Sequence, residues 1–406
     1  MDAPTKYDVL IVGAGPVGLT LALALVQSAR GIRIGLVDRR ALTIPKDNRA
    51  SAIAAGVRRV FEALGVWPAM LQHAQAVTAM RITDSGQGDL ARPRFLTFEG
   101  DVVPGEPFAH MVPNQVIAQT LLDALGTRID VVAPAQITSF AADEQSARLQ
   151  LADGREFRTP LIIAADGAQS ALRHMAGIAV LGQPYEQMGL VATISHELPH
   201  EGVAYEHFRP AGPFASLPLP GQRSSLVWTQ TTDEARRILA LDSDAAARDI
   251  EAALGYVLGT VTLEDQLAGY PLQLQIARDF VGTRLALVGD AAHVVHPIAG
   301  QGLNLGLKDV AALAETLVGA IRLGLDHGAA DTLARYQAWR RFDTASMAAM
   351  THGLNALFSN DIAPIRAARD LGLSLVDRTG PAKSALIRTA AGIDQNGPRL
   401  LSGLPI

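Results

Sequence analysis

The chain has 406 residues, of which 49% are hydrophobic and 18% charged, a composition typical of a globular protein with a large core. The formal net charge of −5 leaves no basic excess, so nucleic acid is not an expected partner. The absence of cysteine excludes disulfides, iron–sulfur clusters and thiolate zinc sites, so redox chemistry would need an organic cofactor or another metal. Because the length exceeds that of one domain, we expect two lobes plus appendages.

The first forty residues predict a parallel βαβ unit. Residues 7–12 form a short apolar strand, residues 16–29 an uncharged helix, and residues 33–38 a second strand. A strand, a glycine turn, a helix and a strand in this order pack as one unit. We expect no targeting peptide in the polar residues 1–6, and no apolar run reaches the ~20 residues of a membrane-spanning helix.

Apolar alternation and turn residues predict the remaining elements. In chain order these are a loop and helix (41–75), short strands (77–107), a helix (114–125), strands with an Asp153-Gly154 hairpin turn (129–163), a buried strand (161–165), a proline-containing β-rich stretch (181–275) with a strand at 224–231, a buried strand (285–288), a helix (303–320) and a mostly helical end from residue 332 with a polar loop near Asn360.

The turn of the βαβ unit has the sequence GAGPVG from residue 13. Gly13 makes the tight turn, Gly15 lets the backbone approach a pyrophosphate, and Gly18 lets the helix pack close to the strand. The helix N-terminus then offers free N–H groups to the phosphates. Asp38 ends the second strand, where a carboxylate accepts hydrogen bonds from an adenosine ribose. These residues predict a dinucleotide site, but they do not separate NAD from FAD.

Two later strands also end in an acid beside glycine. Residues 161–167 read LIIAADG, and residues 285–293 read LALVGDAAH, followed by HPIAGQGLN at 296–304. Ligands bind at the carboxyl ends of strands in such sheets, so Asp166 and Asp290 should lie near the glycine turn. A cofactor that contacts strands this far apart in sequence must be long, which favours FAD.

The third motif also suggests how flavin would be held. Asp290 is placed to accept a hydrogen bond from a ribityl hydroxyl. Residues 300–302 would present backbone N–H groups at a helix N-terminus, which favour the negative charge that reduced flavin carries near N1 and O2. Only one complete GxGxxG with its acid is present, so we expect no second Rossmann domain for a nicotinamide.

These motifs resemble those of the flavoprotein aromatic hydroxylases of the para-hydroxybenzoate hydroxylase type. Within that class, residues 289–309 closely resemble the ubiquinone-biosynthesis hydroxylase family, and the likeness covers nearly the whole chain. Further matching segments are residues 47–53 (DNRASAI), 212–218 (GPFASLP), 354–360 (LNALFSN) and the tail 388–401.

The resemblance implies an α/β fold, with a Rossmann-like FAD-binding domain of the glutathione-reductase type, an inserted β-rich substrate domain and a helical C-terminus. The expected FAD-binding domain comprises residues 1–76, 108–180 and 276–330. The substrate domain comprises residues 77–107 and 181–275, and the C-terminal helical region residues 331–406.

The resemblance also implies roles at matching positions. Arg49 would lie near the pyrophosphate or flavin, and Gln115, where many relatives carry arginine, would contact the ribityl or phosphate region. Pro297 would sit beside the isoalloxazine and shape the oxygen-reaction site. We take Pro297 and His296 as the candidate catalytic residues, although packing is the favoured role for His296. The full expected cofactor set is Gly13, Gly15, Pro16, Gly18, Asp38, Arg39, Arg49, Gln115, Asp166, Gly289, Asp290, Pro297, Gly300, Gln301, Gly302, Leu303 and Asn304.

The implied reaction is hydroxylation of an aromatic ring by O2 through a flavin C4a-hydroperoxide, with NADH or NADPH as a transient co-substrate and no metal. The implied substrate is a polyprenylated phenol of ubiquinone biosynthesis, which resides in the bilayer. Arg378, Lys383, Arg388 and Arg399 lie among apolar residues, so this region could be a membrane or partner surface or a solvated helical face. We expect a cytoplasmic protein, with a peripheral position at the inner face of the membrane as an option.

Two other functions remain open. A hydroxylase of a small soluble aromatic compound would share every flavin motif. A non-hydroxylating flavoprotein or a scaffold of a biosynthetic complex is the second alternative. Flavin-dependent halogenases of this class carry Trp-x-Trp, whereas Trp67, Trp228 and Trp339 stand far apart.

Two histidine patterns have simpler explanations than catalysis. His196 and His200 match HExxH, but Pro199 would break the helix that this zinc motif requires. His293 and His296 could form a catalytic base pair, but they lie in a segment that must fit flavin by shape, so acid–base chemistry is the less favoured role.

Overall fold

A computed structural model describes residues 5–44, 49–85, 94–99, 105–359, 392 and 397–406. Predictions made for residues 45–48 and for most of the region beyond 359 lie outside these ranges. The residues concerned are Asp47, Asn48, Asn360, Arg378, Lys383 and Arg388.

The helices and strands are numbered in chain order. The helices are α1 (Pro16–Ser28), α2 (Ala55–Ala63), α3 (Trp67–Leu71), α4 (Asn114–Leu125), α5 (Ala171–Met175), α6 (Thr232–Leu239), α7 (Ser243–Leu254), α8 (Gln301–Arg322) and α9 (Ala330–Phe358). Short 3-10 helices span Gly289–Ala291, Ile298–Gly300 and Arg399–Ser402. The strands are β1 (Thr5–Lys6), β2 (Val9–Val12), β3 (Ile34–Val37), β4 (Ala50–Ala54), β5 (Gln75–Val77), β6 (Ala79–Asp84), β7 (Arg94–Glu99), β8 (Ala109–Pro113), β9 (Asp130–Val132), β10 (Ile137–Ala142), β11 (Ala147–Leu151), β12 (Glu156–Thr159), β13 (Leu161–Ala164), β14 (Val180–His196), β15 (Val203–Phe208), β16 (Phe214–Leu219), β17 (Arg223–Thr231), β18 (Val261–Leu263), β19 (Ala268–Ala277), β20 (Val281–Gly282), β21 (Leu285–Leu287) and β22 (His293–Val294).

The predicted βαβ unit forms the centre of a six-stranded sheet with the order β20-β21-β13-β2-β3-β9. All neighbouring strands in it are parallel except β20 and β21. Strands β2, β3, β13 and β21 are buried along their whole length, which explains their uninterrupted apolar sequences. Helix α1 packs against α4 and α8 on this sheet. Because β3, β13 and β21 run parallel, the acids that follow them, Asp38, Asp166 and Asp290, lie at the same end of the sheet.

A second large sheet has the order β22-β19-β14-β17-β16-β15-β6-β7, with β18 paired to β14. It brings strands from residues 77–107 together with strands from residues 181–275. Its edge strand β22 lies within the third motif. This strand joins the sheet by pairing with β19, where Val294 stands in register with Gln275. The motif therefore runs from the parallel sheet directly onto the second sheet. The domain boundaries themselves stay a prediction.

One face of the second sheet is covered by α6 and α7, which the sequence analysis did not predict within its β-rich stretch. Their apolar faces pack with Leu190, Phe214 and Trp228. Both helices begin with a side-chain cap: Thr231 accepts a hydrogen bond from the Glu234 backbone N–H, and Asp242 caps α7. The opposite face packs in part against β5, β8 and α9.

The chain ends close to the first sheet. Helix α9 packs along α8, and the 3-10 helix Arg399–Ser402 packs against α2 with Leu400 and Leu401 buried. Two smaller sheets, β1-β12-β11-β10 and β4-β8-β5, complete the architecture. Within the described ranges, every helix is too short or too polar to span a bilayer.

Candidate functional site

A groove of about 920 Å³ follows the carboxyl ends of the parallel strands. It brings together segments from the three motifs, as the sequence analysis predicted. The predicted cofactor residues that line it are Gly13, Gly15, Pro16, Asp38, Arg39, Arg49, Asp166, Asp290, Gly302 and Leu303.

The three glycines of the first motif serve different needs. A Cβ on Gly13 would lie 2.1 Å from the Ala165 carbonyl oxygen, and one on Gly18 would lie 2.0 Å from the Gly13 oxygen. Both glycines are therefore required by protein packing. A Cβ on Gly15 would meet no protein atom within 4 Å, because it would point into the groove. Gly15 leaves room for a ligand at the uncapped N-terminus of α1.

The carboxylate of Asp38 shapes the turn. Its Oδ2 accepts a hydrogen bond from the Ala14 N–H at 2.7 Å, and its Oδ1 accepts one from the Arg40 N–H at 2.8 Å. Each carboxylate oxygen has capacity for a second donor. Asp38 can therefore hold the glycine turn and accept a ribose hydroxyl at the same time.

Asp166 presents an unsatisfied oxygen to the same groove. Its Oδ2 accepts hydrogen bonds from the backbone of Ala171 at 2.8 Å and Leu172 at 3.3 Å. Its Oδ1 is buried and has no hydrogen-bond partner within the described part of the chain. A buried acceptor without a donor is costly, so this atom indicates a ligand that donates a hydrogen bond.

Arg173 ties the second motif to the third, and the sequence analysis missed it. Its side chain is almost fully buried. It donates to the Ala168 carbonyl at 2.8 Å and to the Ala291 carbonyl at 2.9 Å. The loops that carry Asp166 and Asp290 are thus held in a fixed relation by one guanidinium.

Asp309 on α8 holds the third motif in place through hydrogen bonds, and the sequence analysis gave it no role. Its Oδ2 accepts hydrogen bonds from the Gly289 N–H at 2.9 Å and from His293 Nε2 at 2.6 Å, and its Oδ1 accepts one from Arg340 Nε at 2.7 Å. Burial raises the pKa of Asp309, but His293 and Arg340 outweigh burial and hold it below its ordinary value. The ionised carboxylate therefore fixes the turn that presents Asp290.

Asp290 stands where the groove meets a second cavity, of about 270 Å³, and it lines both. Its side chain is exposed to these spaces. The pKa of Asp290 is raised, because burial on its protein-facing side and the nearby Asp309 outweigh the lowering effect of His293. Gly302 and Leu303 also line both spaces. The groove and the cavity are therefore parts of one site.

The cavity lies between the face of the second sheet opposite α6 and α7 and the segment that contains Pro297. Pro297 and Gly300 line it, and their contact with the flavin stays a prediction. Most other lining residues are apolar, and three polar side chains, Ser51, Glu206 and Thr229, face it from β4, β15 and β17. An apolar cavity with a few polar groups suits an aromatic ligand with oxygen substituents.

Some predicted cofactor residues lie behind the lining. The amide of Asn304 accepts a hydrogen bond from the Ala54 N–H at 3.0 Å and donates to the carbonyls of Ala52 and Gly300, so it fastens β4 to the start of α8. Gln301 is buried, and Gly289 packs against Val17. Direct cofactor contacts of these residues stay predictions.

Arg49 and Gln115 lie beside the glycine turn. The Arg49 guanidinium stacks on Tyr270 at 5.3 Å from the ring centre, at the edge of the groove. Gln115 is exposed in the first turn of α4 and lines a smaller adjoining pocket with Asp38. Their cofactor contacts stay predictions.

His296 is fully buried and does not line the groove or the cavity. Neither ring nitrogen has a hydrogen-bond partner in the described structure, and its ring meets Tyr185 edge-on with 5.2 Å between centroids. Burial, aided by the nearby His352, lowers the pKa of His296 to about 4. His293 instead binds Asp309, so the two histidines do not act as a pair.

The HExxH match is not helical, as predicted. His196 ends strand β14, with Nε2 3.1 Å from Ser224 Oγ, and His200 lies in the following turn with Nε2 2.8 Å from the Leu219 carbonyl oxygen. Across the ranges that the structure describes, no three His, Asp or Glu side chains are grouped to hold a metal ion.

The geometry fits FAD at several independent points. Gly15 and Gly302 leave open positions at two helix N-termini, Asp38 has acceptor capacity for a ribose, and Asp166 has a buried oxygen without a donor. The fold and the site thus define a two-sheet flavoprotein with a ring-sized cavity that adjoins the groove.

The chain belongs to the FAD binding domain family, whose model matches residues 6–350. It is 43% identical over 100% of its length to the ubiquinone hydroxylase UbiL of Rhodospirillum rubrum, of which 95% is covered. It is 32% identical over 95% of its length to the 3-demethoxyubiquinol 3-hydroxylase of Escherichia coli, of which 98% is covered.

Among solved structures, p-nitrophenol 4-monooxygenase PnpA from Pseudomonas putida matches with a TM-score of 0.78 at 18% identity, covering 96% of this chain and 97% of that one. That likeness concerns the fold. It confirms the predicted fold class, while the family model and the sequence relatives confirm the predicted family and the FAD cofactor. The protein is an FAD-dependent monooxygenase with NAD(P)H as co-substrate.

Proposed function

We propose that the protein hydroxylates the ring of a polyprenylated phenol in ubiquinone biosynthesis. The observation that carries this proposal is the cavity that Asp290, Gly302 and Leu303 share with the FAD groove. A ring bound there would lie beside the flavin end of the groove. The names of the sequence relatives support a quinone precursor as the substrate class.

The residues of the groove would bind and orient FAD. Gly15 and the N-terminus of α1 would receive the pyrophosphate, Asp38 the ribose, and Asp290 the ribityl chain. The N-terminus of α8 at Gly302 would favour negative charge on the ring system. When bound, FAD supplies the redox chemistry that activates O2.

The cavity residues would hold the phenol and keep water out. Met80, Leu217 and Val227 cover one side with apolar surface, and Pro297 closes the other. Holding the ring in one orientation lowers the entropic part of the barrier, and excluding water limits side reactions.

The test compares phenols with and without a polyprenyl chain, using the FAD-loaded protein. We expect a short-chain polyprenylphenol to stimulate NAD(P)H oxidation and to yield a ring-hydroxylated product by mass spectrometry. Simple phenols should give slower oxidation and little product. Equal stimulation by both classes would reject the polyprenyl specificity, and stimulation without any hydroxylated product would reject the hydroxylase function.

A hydroxylase of a small soluble aromatic compound is the second candidate. The cavity volume of about 270 Å³ favours it, since the volume suits a substituted ring rather than a ring with a long chain. For a polyprenylated substrate, the chain must extend out of the cavity. The comparison of phenols above separates the two candidates.

We also propose that the protein works at the cytoplasmic face of a membrane, where a polyprenylated substrate resides. The support is the chemistry of the substrate alone. Co-flotation with vesicles that contain anionic lipid and a polyprenylphenol would favour this location. Protein that stays at the bottom of the gradient while turning over detergent-solubilised substrate would contradict it.

A further inference from the structure

Glu206 lies on the face of the second sheet opposite α6 and α7, at the wall of the cavity. On β15 it stands in register with Ala215 of β16, which stands in register with Val227 of β17. Residues in register on neighbouring strands point to the same face of a sheet. Glu206, Ala215 and Val227 therefore form one row across the cavity wall, with the carboxyl group at its end.

The surroundings of Glu206 in the cavity are apolar. The residue is 6% exposed, and Met80, Ala215 and Leu217 line the same wall. Burial raises the pKa of Glu206 to about 7. The hydroxyl of Thr229, farther along the wall, is buried and has no hydrogen-bond partner within the described residues. This wall therefore suits a ligand that carries hydrogen-bonding oxygens.

Other titratable groups near Glu206 can be assigned to the two faces of the sheet. Asp290 faces the cavity from the opposite wall. Asp84 on β6 lies two residues beyond the position in register with Glu206, so it points to the same face. It is buried and does not line the cavity. Arg81 and His207 have the opposite parity, and Arg81 stacks on the ring of Tyr205, so they belong to the reverse face. Among the described lining residues, Glu206 and Asp290 are thus the titratable ones.

We propose that Glu206 is a catalytic residue that accepts the proton of the substrate's phenolic hydroxyl during hydroxylation. The phenolic O–H bond breaks, the proton passes to a carboxylate oxygen of Glu206, and the electron pair stays on the phenolate oxygen. The ring thereby becomes more electron-rich and more readily hydroxylated. This role rests on the proposed hydroxylation of a phenol and adds the proton acceptor.

The position of the Glu206 carboxylate suits it to accept the phenolic proton. A general base is effective when its pKa lies near the working pH and when its oxygen reaches the substrate hydroxyl. Asp290 stands at the junction with the FAD groove, where a ribityl hydroxyl would occupy it. Glu206 is away from that groove and faces the space that a ring would fill.

The test uses the FAD-loaded variants Glu206→Gln and Glu206→Asp, with Glu156→Gln as the control because Glu156 is exposed on the small sheet. Glu206→Gln should retain its flavin and its reduction by NAD(P)H without phenol. Its rate of product formation should fall roughly 100-fold. Glu206→Asp should recover part of the rate with a shifted pH profile, and Glu156→Gln should match the unsubstituted protein.

An infrared titration supplies a readout that does not depend on turnover. The unsubstituted protein should show a protonated carboxyl band that disappears as the pH rises through about 7, and Glu206→Gln should lack it. A Glu206→Gln variant with an unchanged rate and pH profile would overturn the role while leaving the hydroxylase function intact. If Glu206→Gln does not fold, an Asp variant with the same rate and profile would overturn it equally. Failure of the unsubstituted protein to hydroxylate any phenol would reject the proposed function itself.

Discussion

Arg340 Nε donates a hydrogen bond to Asp309 Oδ1 at 2.7 Å beneath the turn that carries Asp290. Both side chains are buried, and the other oxygen of Asp309 binds Gly289 and His293. The shape of the cofactor-facing turn therefore depends on a residue of α9, which itself does not line the groove.

Replacing this arginine should loosen the turn. In Arg340→Met, Asp309 keeps a buried charge with one partner fewer, which should destabilise the protein by about 3–5 kcal/mol. We expect a lower melting temperature and faster loss of FAD during gel filtration. Arg341→Met, at the exposed neighbouring position, is the control. Normal stability and flavin retention in Arg340→Met would contradict the supporting role of the pair.

Gly15→Val should abolish FAD binding without unfolding the protein. The added side chain meets no protein atom near its Cβ and would fill the position proposed for the pyrophosphate. Flavin absorbance of the purified variant should be lost while its circular dichroism is kept. Gly353→Val is the control, since its Cβ is also free of contacts, but on α9. Stoichiometric flavin in Gly15→Val would reject this placement.

Asp290→Ala should weaken FAD retention or slow flavin reduction while the fold stays intact. The carboxylate lines the groove, and we propose that it accepts a ribityl hydroxyl. Titration of the apoprotein with FAD, followed by stopped-flow reduction with NAD(P)H, measures both effects. Unchanged affinity together with an unchanged reduction rate would exclude the ribityl contact.

The stability of the protein should reveal the buried carboxyl of Glu206. Burial raises the pKa of Glu206 from 4.5 to about 7. The contribution of this group to the free energy of unfolding is therefore fully present below about pH 4.5 and is lost as the pH rises through 7. That loss amounts to roughly 3 kcal/mol. The free energy of unfolding of Glu206→Gln, relative to the unsubstituted protein, should therefore increase from pH 5 to pH 8. Urea unfolding at both pH values checks this, and an identical difference at both would contradict it.

His296→Phe should leave stability unchanged or raise it at neutral pH. The substitution removes two buried nitrogens without partners and keeps a ring of similar size. Because burial lowers the pKa of His296 from 6.5 to about 4, the unsubstituted protein should lose stability as the pH falls across this range, and the variant should lose less. Exposed His73 serves as the control in His73→Phe. A strong loss of hydroxylation with full flavin content would instead assign His296 a direct catalytic role.

Much of the FAD groove could be predicted because its determinants are local in sequence. The glycine turn, the uncharged helix and the acid at the end of β3 follow one another within residues 9–38. Helix α4 was predicted with its observed limits, Asn114–Leu125, since its apolar residues recur at helical spacing. The expected α/β fold followed from these patterns together with the family resemblance.

The residues that support the groove and line the cavity could not be predicted in the same way. Asp309 and Arg340 are 31 residues apart on two helices, and only tertiary packing makes them partners. Glu206 looks like an ordinary polar residue of a strand until the second sheet places it in an apolar cavity. Helices α6 and α7 did carry local signals, the caps Thr231 and Asp242, within a stretch dominated by strand patterns.

Deletion of the gene in the source organism tests the central claim most directly, with quinone intermediates identified by mass spectrometry. We predict that a polyprenylphenol lacking one ring hydroxyl accumulates. The unsubstituted gene should restore the quinone, whereas Gly15→Val should not. Normal quinone levels after deletion, in cells without a redundant hydroxylase, would contradict the proposed function.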